Sequence, residues 1–201
     1  MKTTIIAVIT LVLAVAAYWF AAAPESAPHP VDLEQASHSS STQENAPAVP
    51  PVADWTSELV NEFQIQAMAA VTNTLGQPEF TDRIEKRPDF VSPAEWLILS
   101  SIAQQHDNPH AELTRMINFL RFSKLMEIWE SGDDMGTLQR SALAEQLLLN
   151  IPNRVENGDL GLSQAQQLQA TLINDLTTDS DLRRQRLSEE NARIGVTFEI
   201  N

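Results

Sequence analysis

The sequence predicts a mainly α-helical protein with an N-terminal transmembrane helix, a disordered linker, and a single multi-helix domain with a short extended C-terminal tail. Three observations lead to this prediction. Residues 5–23 contain one polar side chain, Thr10, and no charged one. Residues 24–53 are rich in proline, serine and alanine. From Asp54 onward, helix-start and helix-stop signals recur, so we divide the chain into segments 1–23, 24–53 and 54–201.

The apolar segment is long enough to anchor the chain in a membrane. Residues 5–23 form a helix of roughly 28 Å at about 1.5 Å per residue, which matches a bilayer core. Lys2 precedes the segment and the next cation is Arg83. The positive-inside rule therefore predicts a single-pass inner-membrane protein with a periplasmic C-terminal domain. The alternative is a cleaved signal peptide, since residues 14–16 (Ala-Val-Ala) resemble a cleavage site.

The segment that follows is predicted to be a flexible tether. Residues 24–53 hold six of the eleven prolines, five serines and few large apolar side chains. Such a stretch buries too little surface to offset the entropy of ordering it.

Charge and cysteine content exclude several classes of function. All 27 acidic residues and 12 of the 13 basic ones lie after residue 23, which leaves 15 excess negative charges there. Because this charge repels phosphate backbones, we expect no binding to nucleic acid. Cysteine is absent, so disulfides and thiol chemistry are excluded.

Capping signals predict three helices in the first half of the domain. Asp54 is expected to cap the first helix, which runs to about Leu75. The run Ser92-Pro93-Ala94-Glu95 combines a capping box with proline at the first helical position. Asn108-Pro109 begins the longest helix, which ends at Gly132 and is apolar nearly all round. A helix of that kind is usually central in its domain.

Three more helices are predicted in the second half. Thr137 begins the fourth, and Pro152 is expected to break or kink it. Ser163-x-x-Gln166 is a second capping box, and the sixth helix begins around residues 179–181 and ends near Ile194. Behind it, residues 196–200 alternate apolar and polar side chains, as a short strand or an extended clamp would.

Two groups of residues have spacings that metal-binding sites use. His106 and His110 have ligand spacing only if both lie on one helix, and the Asn108-Pro109 start signal separates them. Asp179, Asp181 and Glu190 match positions 1, 3 and 12 of a calcium loop. However, cations follow at positions 5 and 6, where the sharp turn of position 6 requires glycine. We therefore predict solvated histidines, N-capping aspartates and no metal or cofactor site.

Two clusters of cations could contact a partner. Residues 183–186 (Arg-Arg-Gln-Arg) could bind an acidic protein, although a solvated helix face balanced by Glu189 and Glu190 is the favoured interpretation. Residues 83–90 are expected to form a loop before the Ser92 cap, and this loop could orient a partner.

The order of anchor, tether and helical domain resembles that of the membrane-anchored lipase foldases and of the shorter phospholipase C accessory proteins of Gram-negative bacteria. The resemblance implies a steric chaperone for a secreted hydrolase. Residues 87–90 (Arg-Pro-Asp-Phe) hold three residue types of the foldase arginine-phenylalanine-aspartate-tyrosine motif in a different order. The single tyrosine, Tyr18, lies in the predicted anchor, so no functional residue is carried over.

The chain lacks a nucleophile elbow, a phosphate loop and a zinc-protease motif, so we predict no catalytic residues and no enzyme activity. The expected function is that of a membrane-tethered periplasmic helper, a chaperone or adaptor that contacts a protein such as a secreted lipase or phospholipase. The alternatives are a structural subunit of an envelope assembly and a hydrolase or metal-binding protein.

Overall fold

A computed structural model describes residues 51–132 and 135–196, and within these ranges all regular secondary structure is helical. The mainly α fold class and the six helices are therefore confirmed for this part of the chain. The predicted anchor, most of the linker and residues 197–201 lie outside it. The helices are α1 Ser57–Val71, α2 Pro93–Ala103, α3 Pro109–Ser131, α4 Thr137–Glu156, α5 Leu162–Leu176 and α6 Ser180–Arg193.

Helix α3 lies at the centre of the fold, as its apolar circumference predicts. It packs against α1, α2 and α4, while α5 packs against α4 and α6. One hydrophobic core joins the helices, with Val71, Ile117, Leu125, Leu147 and Leu172 fully buried in it. None of these six helices has the length and apolar character needed to cross a bilayer.

Three helix starts coincide with the predicted signals. Ser92 and Glu95 form the reciprocal capping box, with Ser92 N donating to Glu95 Oε2 at 2.7 Å and Glu95 N donating to Ser92 Oγ at 3.2 Å. Asn108 caps α3 through its side-chain oxygen, and Asp179 caps α6. Each of these signals lies within four residues of sequence, so the local sequence is sufficient to predict where these helices begin.

The predicted limits of the first helix are wrong. Asp54 belongs to a 3-10 turn, Val52–Asp54, and the helix is capped two residues later by Thr56. The Thr56 hydroxyl accepts from the backbone amide of Leu59, three residues on, at 3.3 Å, which is the capping bond at the start of this helix. At the other end, α1 stops at Val71 and continues only as the 3-10 turn Thr72–Thr74.

In the second half, one predicted helix start is wrong and a predicted helix break is absent. Helix α5 begins after Gly161, whose amide donates to Gln164 Oε1 at 3.3 Å, so Ser163 lies inside the first turn rather than at the cap. Pro152 does not break α4, which continues to Glu156. The fully buried side chains of Ile151 and Arg154 flank the proline, and their packing holds the helix across the missing amide donor.

Helix α6 ends near Ile194, as predicted, and a glycine follows it. Gly195 has φ +79°, and the amides of Gly195 and Val196 donate to the carbonyls of Ala192 and Asn191 at 3.1 and 2.9 Å. These paired bonds form a Schellman motif. Val196 is half-buried against the core, and the remainder of the predicted tail lies outside the described residues.

Candidate functional site

The two histidines lie on different elements, as the Asn108-Pro109 signal predicted. His106 is in the loop after α2 and His110 is in the first turn of α3, and both are exposed. Within residues 51–132 and 135–196, no group of three histidine or carboxylate side chains is placed to hold a metal ion.

The acidic residues with calcium-loop spacing are helix residues. Asp179 Oδ1 accepts from the amides of Asp181 and Leu182 at 2.8 and 3.0 Å, which confirms its role as an N-cap. The amides of Leu182 and Asp181 lower the pKa of the Asp179 carboxyl. Glu190 is buried in the last turns of α6, where it pairs with Arg186 and Arg193.

The arginine cluster of α6 is engaged within the domain. Arg183 donates to Asn174 of α5 at 3.1 Å. Arg186 pairs with Glu145 of α4 at 2.7 Å and with Glu190 at 3.1 Å. The predicted balance by Glu190 is therefore confirmed, and the pair with Glu145 is a contact between helices that sequence spacing did not indicate.

The most unusual feature of the fold is the segment between α1 and α2. Residues 77–91, which we call the strap, contain no regular secondary structure. Structureless loops of this length are uncommon in compact domains and usually have a function or are disordered. The strap is instead held against the domain by polar side chains of α3 and α4.

Four polar residues of α3 form a ladder beneath the strap. Thr114, Asn118, Arg121 and Lys124 recur at helical spacing and are all buried. Asn118 bonds both backbone groups of Phe80, accepting from its amide at 3.0 Å and donating to its carbonyl at 2.8 Å. This ladder replaces the backbone pairing that a strand would supply.

Two of the four ladder residues, Arg121 and Lys124, are cations. Arg121 donates to the carbonyls of Gln77 and Pro78 at 3.3 and 2.9 Å. Lys124 donates to the Phe90 carbonyl at 2.7 Å and to Glu95 Oε2 at 2.8 Å. Burial lowers the pKa of both cations, and for Lys124 the nearby carboxylate of Glu95 opposes that effect.

Helix α4 holds the beginning of the strap. Gln146 Oε1 accepts from the Gly76 amide at 2.8 Å. Arg154, which is 1% exposed, pairs with Glu79 of the strap at 3.1 Å and with Asp159 at 3.0 Å. Burial raises the pKa of Asp159 even though Arg154 and Arg115 both contact it, and we attribute this to the removal of its carboxylate from water.

The strap confirms the prediction of a loop before the Ser92 cap. Arg87 donates to the Val91 carbonyl, and Phe90 is buried and stacks on Phe80 with ring centroids 6.2 Å apart. Arg87 and Phe90 therefore shape the strap itself. Arg83 and Lys86 remain exposed on an outer concavity of about 630 Å³ that the strap curls around.

A second concavity lies between the last three helices. This α4–α6 groove has a volume of about 260 Å³ and an apolar floor formed by Ile173 and Leu176 of α5. Leu182 and Glu189 of α6 form one wall, and Glu145 of α4 forms the other. Leu182 is 55% exposed because it faces the groove rather than the core.

Folding withdraws charges of both signs from the surface. The described ranges contain 20 acidic and 12 basic residues. Three of the cations, Arg121, Lys124 and Arg154, are buried. The carboxylates of four acids, Glu79, Glu95, Asp159 and Glu190, are also nearly inaccessible to solvent, so the surface keeps an acidic excess close to that of the composition.

Comparison of the chain with protein-family models, curated proteins and solved structures found no match.

Proposed function

We propose that the chain is a membrane-tethered periplasmic helper, a chaperone or adaptor that acts by contact with another protein. A secreted lipase or phospholipase is the candidate client, on the strength of the order of anchor, tether and helical domain. The observation that carries the proposal is the exposure of large aliphatic side chains on three helices, α2, α4 and α6. Leu138 is 90% exposed, and Leu97, Ile98 and Leu182 are each about half exposed.

Exposed aliphatic groups on helices are suited to protein contact because they lose water when a partner covers them. The buried polar groups of the ladder are already occupied by the strap, which supports a structural role for them rather than a catalytic one. The competing proposal of a metal-dependent hydrolase would use His106 and His110. Metal analysis of the purified chain discriminates between the two, since stoichiometric zinc that is lost on His106→Ala would overturn the helper proposal.

The first test is crosslinking in the native cell followed by mass spectrometry. A single secreted hydrolase as the main crosslinked protein would support the helper. A multi-protein envelope complex would instead favour a structural subunit, and the absence of any crosslinked protein would refute both.

Topology is tested separately. We expect activity from a periplasm-dependent reporter that is fused after Ala53. Retention in the membrane after a high-salt wash would distinguish an anchor from a cleaved signal, and a reporter active only in the cytoplasm would refute the periplasmic location.

A further inference from the structure

We propose that two copies of the chain pair through the outer face of α2, with the two α2 helices antiparallel about a two-fold axis. This inference goes beyond the proposed function and does not depend on it. It assigns one helix to contact with a second copy and leaves the exposed Leu138 and Leu182 for contact with another protein.

The outer face of α2 is apolar and carries no charge. Leu97 and Ile98 are 45% and 44% exposed. Glu95 is the single charged residue of α2, and it is buried on the opposite side of the helix, where α2 packs on α3. Spacings of three and four residues place four side chains on the outer face. We call these residues the α2 face: Ala94, Leu97, Ile98 and Ser101.

The order of side chains along the α2 face identifies a second copy of the chain as its occupant. In either direction along the helix, the order is small, large, large, small, about a midpoint between Leu97 and Ile98. A two-fold axis through this midpoint sets Leu97 opposite Ile98 of the second copy, and Ala94 opposite Ser101. The small side chains at both ends allow the two helix axes to approach to the ~8 Å that close packing requires. The face is therefore complementary to itself in the antiparallel orientation.

Charge favours the α2 face over the acidic parts of the surface for contact between two copies. Each copy has a net charge of −14, so two copies repel each other where their carboxylates meet. The α2 face brings no carboxylate into the contact. The remaining repulsion acts between more distant charges, and salt screens it over a Debye length of ~8 Å at physiological ionic strength. Pairing should therefore strengthen as the salt concentration rises, whereas contact between opposite charges would weaken.

The size of the contact indicates a weak dimer. Helix α2 has 11 residues and is about 16 Å long at ~1.5 Å per residue. One face of a helix of this length buries less than the ~1,200 Å² that stable complexes bury. We therefore expect pairing that is lost on dilution, and a test that captures the pair covalently.

The test makes use of the absence of cysteine from the chain. Ala94→Cys and Ser101→Cys variants of the full-length chain are oxidised in phosphatidylcholine vesicles, each alone and as an equal mixture. In the antiparallel pair, position 94 of one copy faces position 101 of the other, within the ~4.4–6.8 Å between Cα atoms that a disulfide needs. Two copies of position 94 are instead about 10 Å apart along the helix axis, and so are two copies of position 101.

We expect the mixture to form disulfide-linked dimers at least about tenfold faster than either variant alone, and faster than Ser163→Cys, an exposed position on α5. Ile98→Glu in both partners should slow crosslinking of the mixture about tenfold or more, because it places carboxylates at the centre of the contact. Leu162→Glu is the matched control, since Leu162 is a half-exposed leucine on α5, and it should change the rate less than about twofold. Circular dichroism should give each variant the melting temperature of the wild type, because the substituted side chains lie outside the core.

Faster crosslinking of the single variants than of the mixture would indicate parallel pairing and would overturn the proposal. A rate for the mixture no greater than that of Ser163→Cys, equal effects of Ile98→Glu and Leu162→Glu, or slower crosslinking at higher salt would also overturn it.

A photo-crosslinking amino acid in place of Ile98, introduced in the native cell, separates this inference from the proposed function. A product of twice the mass of the chain supports the dimer. A product that contains only another protein would overturn the dimer and leave the helper proposal standing.

Discussion

Lys124→Met removes the cation from a buried ion pair at the centre of the strap contacts. The side chains of Lys124 and Glu95 are each 4% exposed, and their charged atoms are 2.8 Å apart. The lysine is also the donor to the Phe90 carbonyl at 2.7 Å. The substitution therefore leaves a carboxylate buried without its counter-ion and a carbonyl without its donor.

Breaking a buried pair by removing one partner costs about 3–5 kcal/mol, because the remaining charge stays buried. For a chain of this length, each kcal/mol lowers Tm by roughly 2–4 °C, so we expect a decrease of about 6–20 °C. Glu95→Gln removes the other charge and keeps a side-chain oxygen for the capping box with Ser92. The double variant keeps neither charge of this pair, and it should lose much less stability than the sum of the two single variants.

Thermal unfolding of the full-length protein, followed by circular dichroism, measures all three variants. Arg184→Met is the matched control, since Arg184 and Asp181 form an exposed pair whose side chains are 79% and 83% accessible. Its loss should cost less than about 1 kcal/mol. If Lys124→Met lowers Tm no more than Arg184→Met does, or if the two single effects simply add, the argument for a buried coupled pair is refuted.

Three further predictions concern the strap, a turn and pH. Asn118→Leu removes both hydrogen bonds to the Phe80 backbone, at a cost of about 1–3 kcal/mol. Because the strap is then held less firmly, trypsin should cleave after Arg83 and Lys86 faster than in the wild type. Unchanged cleavage would contradict a strap held by α3. Gly158→Ala should cost about 1–2 kcal/mol because φ is +75°, whereas Gly158→Asn should cost less because asparagine adopts the left-handed region more readily; equal melting points of the two variants would contradict this. Burial lowers the folded-state pKa of Lys124, so its contribution to the free energy of unfolding should rise with pH between that lowered pKa and the ordinary value of 10.5. Urea unfolding of the wild type and the double variant across that range measures the difference, and a difference that falls with pH would refute the sign.

Helix starts could be predicted from the sequence where the capping residues lie next to the helix that they cap. Ser92 with Glu95, and Asp179 ahead of α6, satisfy the first helical amides from within their own segments, so tertiary context did not change them. The prediction that Asp54 caps the first helix is wrong because the cap is Thr56, two residues later. The helix break predicted at Pro152 is absent because packing of the neighbouring residues outweighs the local cost of a proline in a helix.

The sequence predicted a loop before Ser92, but the attachment of the strap to α3 and α4 could not be predicted, because its bonds join residues far apart in sequence. Phe80 and Asn118 are separated by 38 positions, and Glu79 and Arg154 by 75. A signal for the ladder was nevertheless present. Thr114, Asn118, Arg121 and Lys124 interrupt an apolar helix at intervals of three and four residues, which places them on one buried face. Buried polar side chains at such spacing need partners, and residues 77–91, with no regular secondary structure of their own, have backbone groups to pair.

The ladder also connects the interior of the domain with its surface. The strap carbonyls need donors, and Arg121 and Lys124 supply them from inside the fold. A third cation, Arg154, is buried against Glu79. Lys124 and Arg154 are buried together with carboxylates, Glu95 beside the first and Glu79 with Asp159 beside the second, so the interior balances most of its own charge. The strap is thus held by charged donors whose counter-ions lie inside the domain, and its attachment leaves the acidic excess of the surface nearly unchanged.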